Sequence, residues 1–323
     1  MGCIDSDIQD KYALYQGDCV EVLHKVPDNS VGFSIFSPPF KSLYTFSDDP
    51  RDMSNVTSDS EFFAQYDHLA AQLLRVIKQG RLVAVHCMDL TATKNMHGYI
   101  GLQDFPGDII RSMQRAGFIY HSKVTIWKDP VVAMQRTKAL GLLYKTLRKD
   151  SSRCRQGLAD YLIVFRKPGD NDEAIAHSYE QFPVASNINP TGAGWQEYAS
   201  PCWTGDGETI DDGRLDVADR YADPVWWDIV QGDVLKFRDA RDHEDERHIC
   251  PLQIKVIARA LDLWSNPGDV VLTPFLGIGS EAYTALKLGR KAIGIELKRS
   301  YYKQAVNNCR SLSGQALLFG GEE

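Results

Sequence analysis

The chain has 323 residues, 43% of them hydrophobic, and a formal net charge of −7, enough for one large or two smaller globular domains with a sizeable core. No apolar run nears the ~18 residues needed to cross a bilayer, and the polar, acidic stretch from Met1 to Asp10 is not a signal peptide. Seven scattered cysteines with no CxxC pair exclude a disulfide scaffold and a structural zinc site, and read as reduced thiols in a cytoplasmic protein.

Charge is distributed unevenly. Residues 169–246 hold 19 acidic and 5 basic residues, so an acidic segment is set into a body of net +7. Local clusters therefore say more about nucleic-acid binding than the whole-chain charge does.

In chain order, Tyr12 to Leu14 is a short strand, broken by Gly17-Asp18, and Cys19 to His24 is a short helix. Asp18 either accepts a hydrogen bond from a ligand at the strand end or caps the helix. The next run, Val31 to Phe36, is short, apolar and bounded by turn signals, as a buried strand is. It leads into Ser37, Pro38, Pro39 and Phe40. Neither proline has an N–H, so neither continues a central ladder, and the strand stops at Ser37. A hydroxyl, two carbonyls and an aromatic ring are thereby placed at a strand's carboxyl end, where open α/β sheets bind ligands. A proline-stiffened exit with a packed Phe would read the same by itself.

Lys41 to Ser60 is polar and without period. A helix follows from Glu61 to Lys78, ended by Gly80, then a buried strand from Arg81 to Cys87. Phe105 to Ala116 is an amphipathic helix closed by Gly117. Phe118 to Trp127 and Leu158 to Arg166 are strands, the latter stopped by Lys167-Pro168-Gly169. Strands alternating with helices are the grammar of a parallel α/β sheet. Between these two strands lie Lys128, Arg136, Lys138, Lys145, Arg148, Lys149, Arg153 and Arg155, against Asp129 and Asp150. Such an excess suits contacts to nucleic-acid phosphates; a solvated helix surface is the plainer alternative.

Residues 169–246 show turn residues, aromatic rings (Trp195, Tyr198, Trp203, Tyr221, Trp226, Trp227) and no reliable period. They read as a recognition insert or an oligomer face, too acidic for a broad phosphate surface. Pro251 opens a helix that runs to Trp264. Val270 to Leu272 is a buried strand, followed by Thr273-Pro274-Phe275-Leu276-Gly277-Ile278-Gly279-Ser280. A helix through Leu288, a strand from Ala292 to Ile295 ending at Glu296, and a helix from Ser300 to Cys309 complete the chain.

Asp269 to Glu296 is thus strand, glycine turn, helix, strand and acid. Gly277 and Gly279 let the backbone turn tightly and approach a ligand. An acid at the tip of the second strand accepts the ribose hydroxyls of a nucleoside. The third glycine of a dinucleotide fingerprint is missing, which favours S-adenosylmethionine over NAD and disfavours a dinucleotide oxidoreductase.

Ser37-Pro38-Pro39-Phe40 resembles the catalytic tetrad of DNA amino-methyltransferases, and Phe275-Leu-Gly277-Ile-Gly279 resembles their cofactor loop. The tetrad comes first by over 230 residues. That order resembles the β group, phage-borne members included, in which target recognition lies between a catalytic half, here 1–168, and a cofactor half, here 247–323. The resemblance assigns 169–246 to target recognition or oligomerisation and implies a Rossmann-like, mostly parallel sheet with an antiparallel strand and helices on both faces. It implies double-stranded DNA as substrate and allows a homodimer; a partner nuclease is left unspecified. It places the cofactor at Asp18, Pro251, Thr273, Phe275, Gly277, Gly279, Ser280 and Glu296. Two departures stand out: Thr273 where the family commonly has Asp, and Cys250 and Gln253 where a Lys is common.

The residues suit amino methylation. An exocyclic amino nitrogen is a poor nucleophile, and acceptors aimed at its N–H groups, such as the Ser37 side chain and the Pro38 carbonyl, localise its lone pair. Phe40 would stack on a base that has left the duplex. Neither a metal nor a cysteine nucleophile is needed. Within the family, Ser before Pro-Pro goes more often with cytosine N4 and Asp or Asn with adenine N6, so cytosine is favoured here. A nucleic-acid-binding relative without turnover, for which Thr273 leaves room, is the alternative.

Overall fold

The computed structural model describes residues 3–40, 49, 51–56, 58–92, 94–128, 144–153, 157–176, 225–226, 229–230, 232–236 and 251–319. In chain order the strands are β1 (Cys3–Ile8), β2 (Tyr12–Gly17), β3 (Val31–Phe36), β4 (Ile77–Met88), β5 (Leu90–Ala92), β6 (Gly101–Gln103), β7 (Ile119–Ile126), β8 (Asp160–Arg166), β9 (Val225–Trp226), β10 (Val270–Thr273) and β11 (Lys291–Glu296). The α-helices are α1 (Cys19–Leu23), α2 (Asp59–Val76), α3 (Lys94–His97), α4 (Phe105–Ala116), α5 (Tyr144–Lys149), α6 (Ile254–Trp264), α7 (Ser280–Lys287) and α8 (Arg299–Phe319).

Among the described residues, nine strands form one sheet in the order β1-β2-β11-β10-β3-β4-β8-β7-β9, and β5 pairs with β6 separately. The run β2-β11-β10-β3-β4 is parallel. Strand β8 is antiparallel to both β4 and β7, and β1 is antiparallel to β2. This is the expected mostly parallel, Rossmann-like sheet. The two halves of the chain interleave within it, since β10 from the carboxyl-terminal part lies between β3 and β11.

Central strands read as unbroken apolar runs because both faces are covered. Successive side chains alternate between two cores. Val83, Val85 and Cys87 of β4 pack toward α2 and α4, with Phe62, Leu69, Phe105 and Ile109. Leu82 and Ala84 of the same strand, with Phe33 and Ile35 of β3, pack toward Val256, Ile257 and Leu261 of α6.

Beneath the sheet, at the amino ends of β4 and β10, Arg81 is fully buried and lies 3.0 Å from Asp269. Gly32 of β3 sits between them. A Cβ there would fall 2.7 Å from the Asp269 carboxyl, so a side chain on β3 would displace the acid that ties β10 to β4.

Several elements differ from expectation. Helix α2 ends at Val76 rather than at Lys78, and Ile77 enters β4 directly. Gly80 lies inside that strand with φ 68° and donates to the Lys167 carbonyl at 3.2 Å, and a Cβ at this position would fall 2.7 Å from the Asn171 backbone. Strand β1 was not expected, because it buries only Asp7 and carries no apolar alternation. Helix α6 begins at Ile254, not at Pro251, with Gln253 at its N-cap, and α8 runs on to Phe319.

Candidate active site

Parallel strands place their carboxyl ends along one edge, and that edge gathers most of the candidate residues. From β2 outward it carries Asp18 after β2, Glu296 at the tip of β11, Thr273 at the tip of β10 and Ser37 after β3. Because β8 runs antiparallel, its first residue, Asp160, opens on the same edge, opposite Met88 of β4 and Ile126 of β7.

The glycine turn follows β10. Leu276 N–H donates to the Ile295 carbonyl at 2.8 Å, which folds the loop over β11. Gly277 has φ 54° with nothing within 4 Å of where a Cβ would be, and its N–H donates to the Glu296 carboxylate at 2.7 Å. Gly279 has φ 90° and would place a Cβ 3.0 Å from Ala305, so α7 and α8 close on each other only through glycine here. Ser280 Oγ, at the first turn of α7, is buried without a hydrogen-bond partner. An orphaned hydroxyl, an open glycine face and a half-buried carboxylate are what a nucleoside would complete, so the residues present fit the cofactor named above.

Thr273, which stands where an acid was expected, turns its hydroxyl back onto the Phe275 carbonyl at 3.3 Å. Phe275 packs at 5.8 Å centroid distance against Phe36 and so joins the cofactor turn to the tetrad strand. Asp18 caps α1, accepting from the Glu21 N–H at 2.9 Å. Pro251 lies just ahead of α6, which leads into β10 from the carboxyl side of the sheet.

Two acids share this region. Burial, opposed by the Lys298 and Gly277 N–H donors, pushes the Glu296 carboxyl up to about 7. Burial, with Glu296 as a like-charged neighbour, pushes Glu281 up to about 8. A raised carboxyl means that the folded state keeps a proton the unfolded state has lost, so stability falls as pH rises between the ordinary value of 4.5 and about 8. Glu281→Gln is therefore expected to raise Tm by about 5 °C at about pH 9 and by much less at about pH 5. Thermal melts at the two pH values check this; an equal gain at both would mean that the buried charge is not the cause.

At the Ser37–Phe40 exit, Pro38 is buried, and Phe40 is half-buried with its ring edge-on to Phe105 at 6.1 Å. Ser37 Oγ lies 2.7 Å from His86 Nδ1, and His86 Nε2 lies 3.1 Å from Asp160 Oδ2. Lys128 Nζ forms an ion pair with Asp160 Oδ1 at 2.6 Å. Burial alone would raise the Asp160 carboxyl; Lys128 and then His86 outweigh it and hold it below its ordinary value. Sequence reading missed His86 and Asp160. The available signal was a polar residue adjoining an apolar run, Leu-Val-Ala-Val before His86 in β4 and Tyr-Leu-Ile-Val-Phe after Asp160 in β8.

The basic cluster divides. Lys128 is committed to Asp160 at the strand edge. Lys145, Arg148 and Lys149 lie on α5, the last two exposed, and exposed Arg153 pairs with Asp150 at 3.1 Å. Arg136, Lys138 and Arg155 lie outside the described residues. No metal-binding cluster occurs among the described residues, and no helix among them is long and apolar enough to cross a membrane.

The fold is that of a Rossmann-like methyltransferase. The chain belongs to the DNA methylase family of N6/N4 type, whose model matches residues 31–307. It is 25% identical over 290 residues to the type II methyltransferase M.BglII of Bacillus subtilis, covering 89% of this chain and 66% of that protein, so it spans just under two thirds of the relative's length. A proposed DNA modification methylase of Thermus thermophilus, solved with S-adenosyl-L-methionine, superposes with a TM-score of 0.58 at 20% identity, over 94% of this chain and 97% of that one. The cytosine-N4-specific PvuII DNA methyltransferase superposes with a TM-score of 0.58 at 14% identity, over 97% of this chain and 94% of that one.

Proposed function

We propose that the chain moves a methyl group from S-adenosylmethionine to the exocyclic amino nitrogen of a base flipped out of double-stranded DNA, with cytosine N4 favoured over adenine N6. One observation carries this reading. The Ser37-Pro38-Pro39-Phe40 exit and the Gly277–Glu296 turn are adjacent on one sheet edge, although the sequence separates them widely. The cofactor would bring an electrophilic methyl on sulfonium; its ribose hydroxyls would be held by Glu296 and its approach allowed by Gly277.

The protein's own task is then positioning. Ser37 Oγ and the Pro38 carbonyl accept the amino N–H hydrogens and localise the nitrogen lone pair. Phe40, braced by Phe105, offers a ring to the unstacked base. Arg148, Lys149 and Arg153 hold phosphates, and 169–246 reads the target sequence. The choice of cytosine rests on Ser37 standing before Pro38-Pro39, which within the family goes more often with cytosine N4. By analogy with M.BglII, the protein would act in a type II modification system.

Incubating mixed-sequence duplex DNA with labelled S-adenosylmethionine, followed by nucleoside mass spectrometry, tests the reading. Label on cytosine N4 is expected. Label on adenine N6 would keep the reaction and overturn the choice of base. No methylated nucleoside would overturn the reading. Ser37→Ala is expected to lower turnover about 100-fold with cofactor affinity unchanged; turnover within threefold of the native chain would remove Ser37 from the mechanism.

A further inference from the structure

The polar chain behind Ser37 has a direction. Asp160 is held as a carboxylate, and a carboxylate only accepts hydrogen bonds, so His86 Nε2 donates to it across 3.1 Å. With that proton on Nε2, the neutral imidazole presents Nδ1 as an acceptor, and the Ser37 hydroxyl is the donor across 2.7 Å. The hydroxyl proton is thereby turned toward His86, and the lone pairs of Ser37 Oγ are left for the substrate amino group. His86 and Asp160 are almost fully buried, so water does not compete for these contacts.

We propose that His86 is a positioning residue for methyl transfer: its Nδ1 fixes Ser37 as an acceptor and takes up the proton that the methylated nitrogen must lose. The inference rests on the methyl-transfer reading above. In the step, the nitrogen lone pair forms the N–CH3 bond as the S–CH3 bond breaks, and the sulfonium becomes a thioether. The nitrogen then carries one proton too many. That proton passes to Ser37 Oγ while the Ser37 hydroxyl proton passes to His86 Nδ1, leaving an imidazolium against Asp160 and, after release of the proton to water, neutral imidazole again. Lys128 holds Asp160 in place at 2.6 Å.

Asp160 of β8 faces the imidazole and is itself paired with Lys128 beyond β7. Asp89, Asp104 and Lys123, together with Asp160, act on the neighbouring Cys87, whose side chain leaves β4 on the other face.

The test uses the full chain, duplex DNA and saturating labelled S-adenosylmethionine under single turnover at about pH 8. His86→Ala is expected to slow transfer about 100-fold while leaving cofactor and DNA affinity within about threefold. Added imidazole should recover part of the rate. His86→Asn offers Ser37 another acceptor, so it should retain more activity than His86→Ala. Transfer within about threefold of native in His86→Ala overturns the proposal. One readout is independent of turnover: nitrogen NMR of the imidazole should show the Nε2–H form of His86 in the native chain. A proton on Nδ1 instead overturns the proposal even if no DNA is methylated, whereas an inactive native chain with the expected tautomer counts against the methyl-transfer reading alone.

Discussion

Glu296→Ala is expected to weaken S-adenosylmethionine binding about 100-fold. The Glu296 carboxylate ends β11, fixed by N–H donors from Gly277 at 2.7 Å and Lys298 at 2.8 Å. Two ribose hydroxyls donating to it would each contribute about 1.5 kcal/mol as hydrogen bonds to a charged group, and about 3 kcal/mol is roughly two orders of magnitude in Kd. Glu296→Gln keeps one acceptor oxygen and should lose about tenfold. Burial holds this carboxyl near 7 in the free protein, so the accepting form is depleted as pH falls. Native affinity should therefore drop by close to tenfold per pH unit below about 7, and the Gln variant should lose this dependence. Calorimetric titration at about pH 8 and about pH 6 reads both effects; an unchanged Kd in Glu296→Ala would remove this residue from the cofactor site.

Arg81→Met is expected to be the most destabilising substitution in the body of the fold. Arg81 and Asp269 are buried together, and Asp269 also accepts from the Asn266 N–H at 2.7 Å. Removing one partner of a buried pair leaves the other charge uncompensated, at a cost of about 3–5 kcal/mol. For a chain of this size that is a fall of about 10 °C in Tm. Adding Asp269→Asn, which removes the stranded charge and keeps the Asn266 bond, should recover part of the loss. A single-variant Tm within about two degrees of native would mean that the pair does not bind β4 to β10 energetically.

Arg81 also shows what was legible. Its strand was recognisable from the apolar run after it, but nothing in the local sequence pairs it with Asp269. The same holds for the site. The exit at Ser37-Pro38 was legible because two missing N–H groups end a central strand wherever they occur. The Gly277–Glu296 turn was legible because positive φ at glycine and an acid at the next strand tip are local properties. Gly80 misled for the opposite reason: glycine also ends helices, and only the tertiary structure places it inside β4 with Asn171 packed against it.

The sequence by itself determined the alternation of strands and helices, the two motifs and the charge asymmetry, since each depends on residues close in the chain. Tertiary structure decided that β10 inserts beside β3, that β8 runs antiparallel, and hence that Asp160 and Lys128 meet His86 behind Ser37. That network draws on four strands, and its spacing is set by strand pairing rather than by distance along the chain. A side chain's partner across a sheet has no local signature, because the register that creates it is chosen by the burial of whole strands.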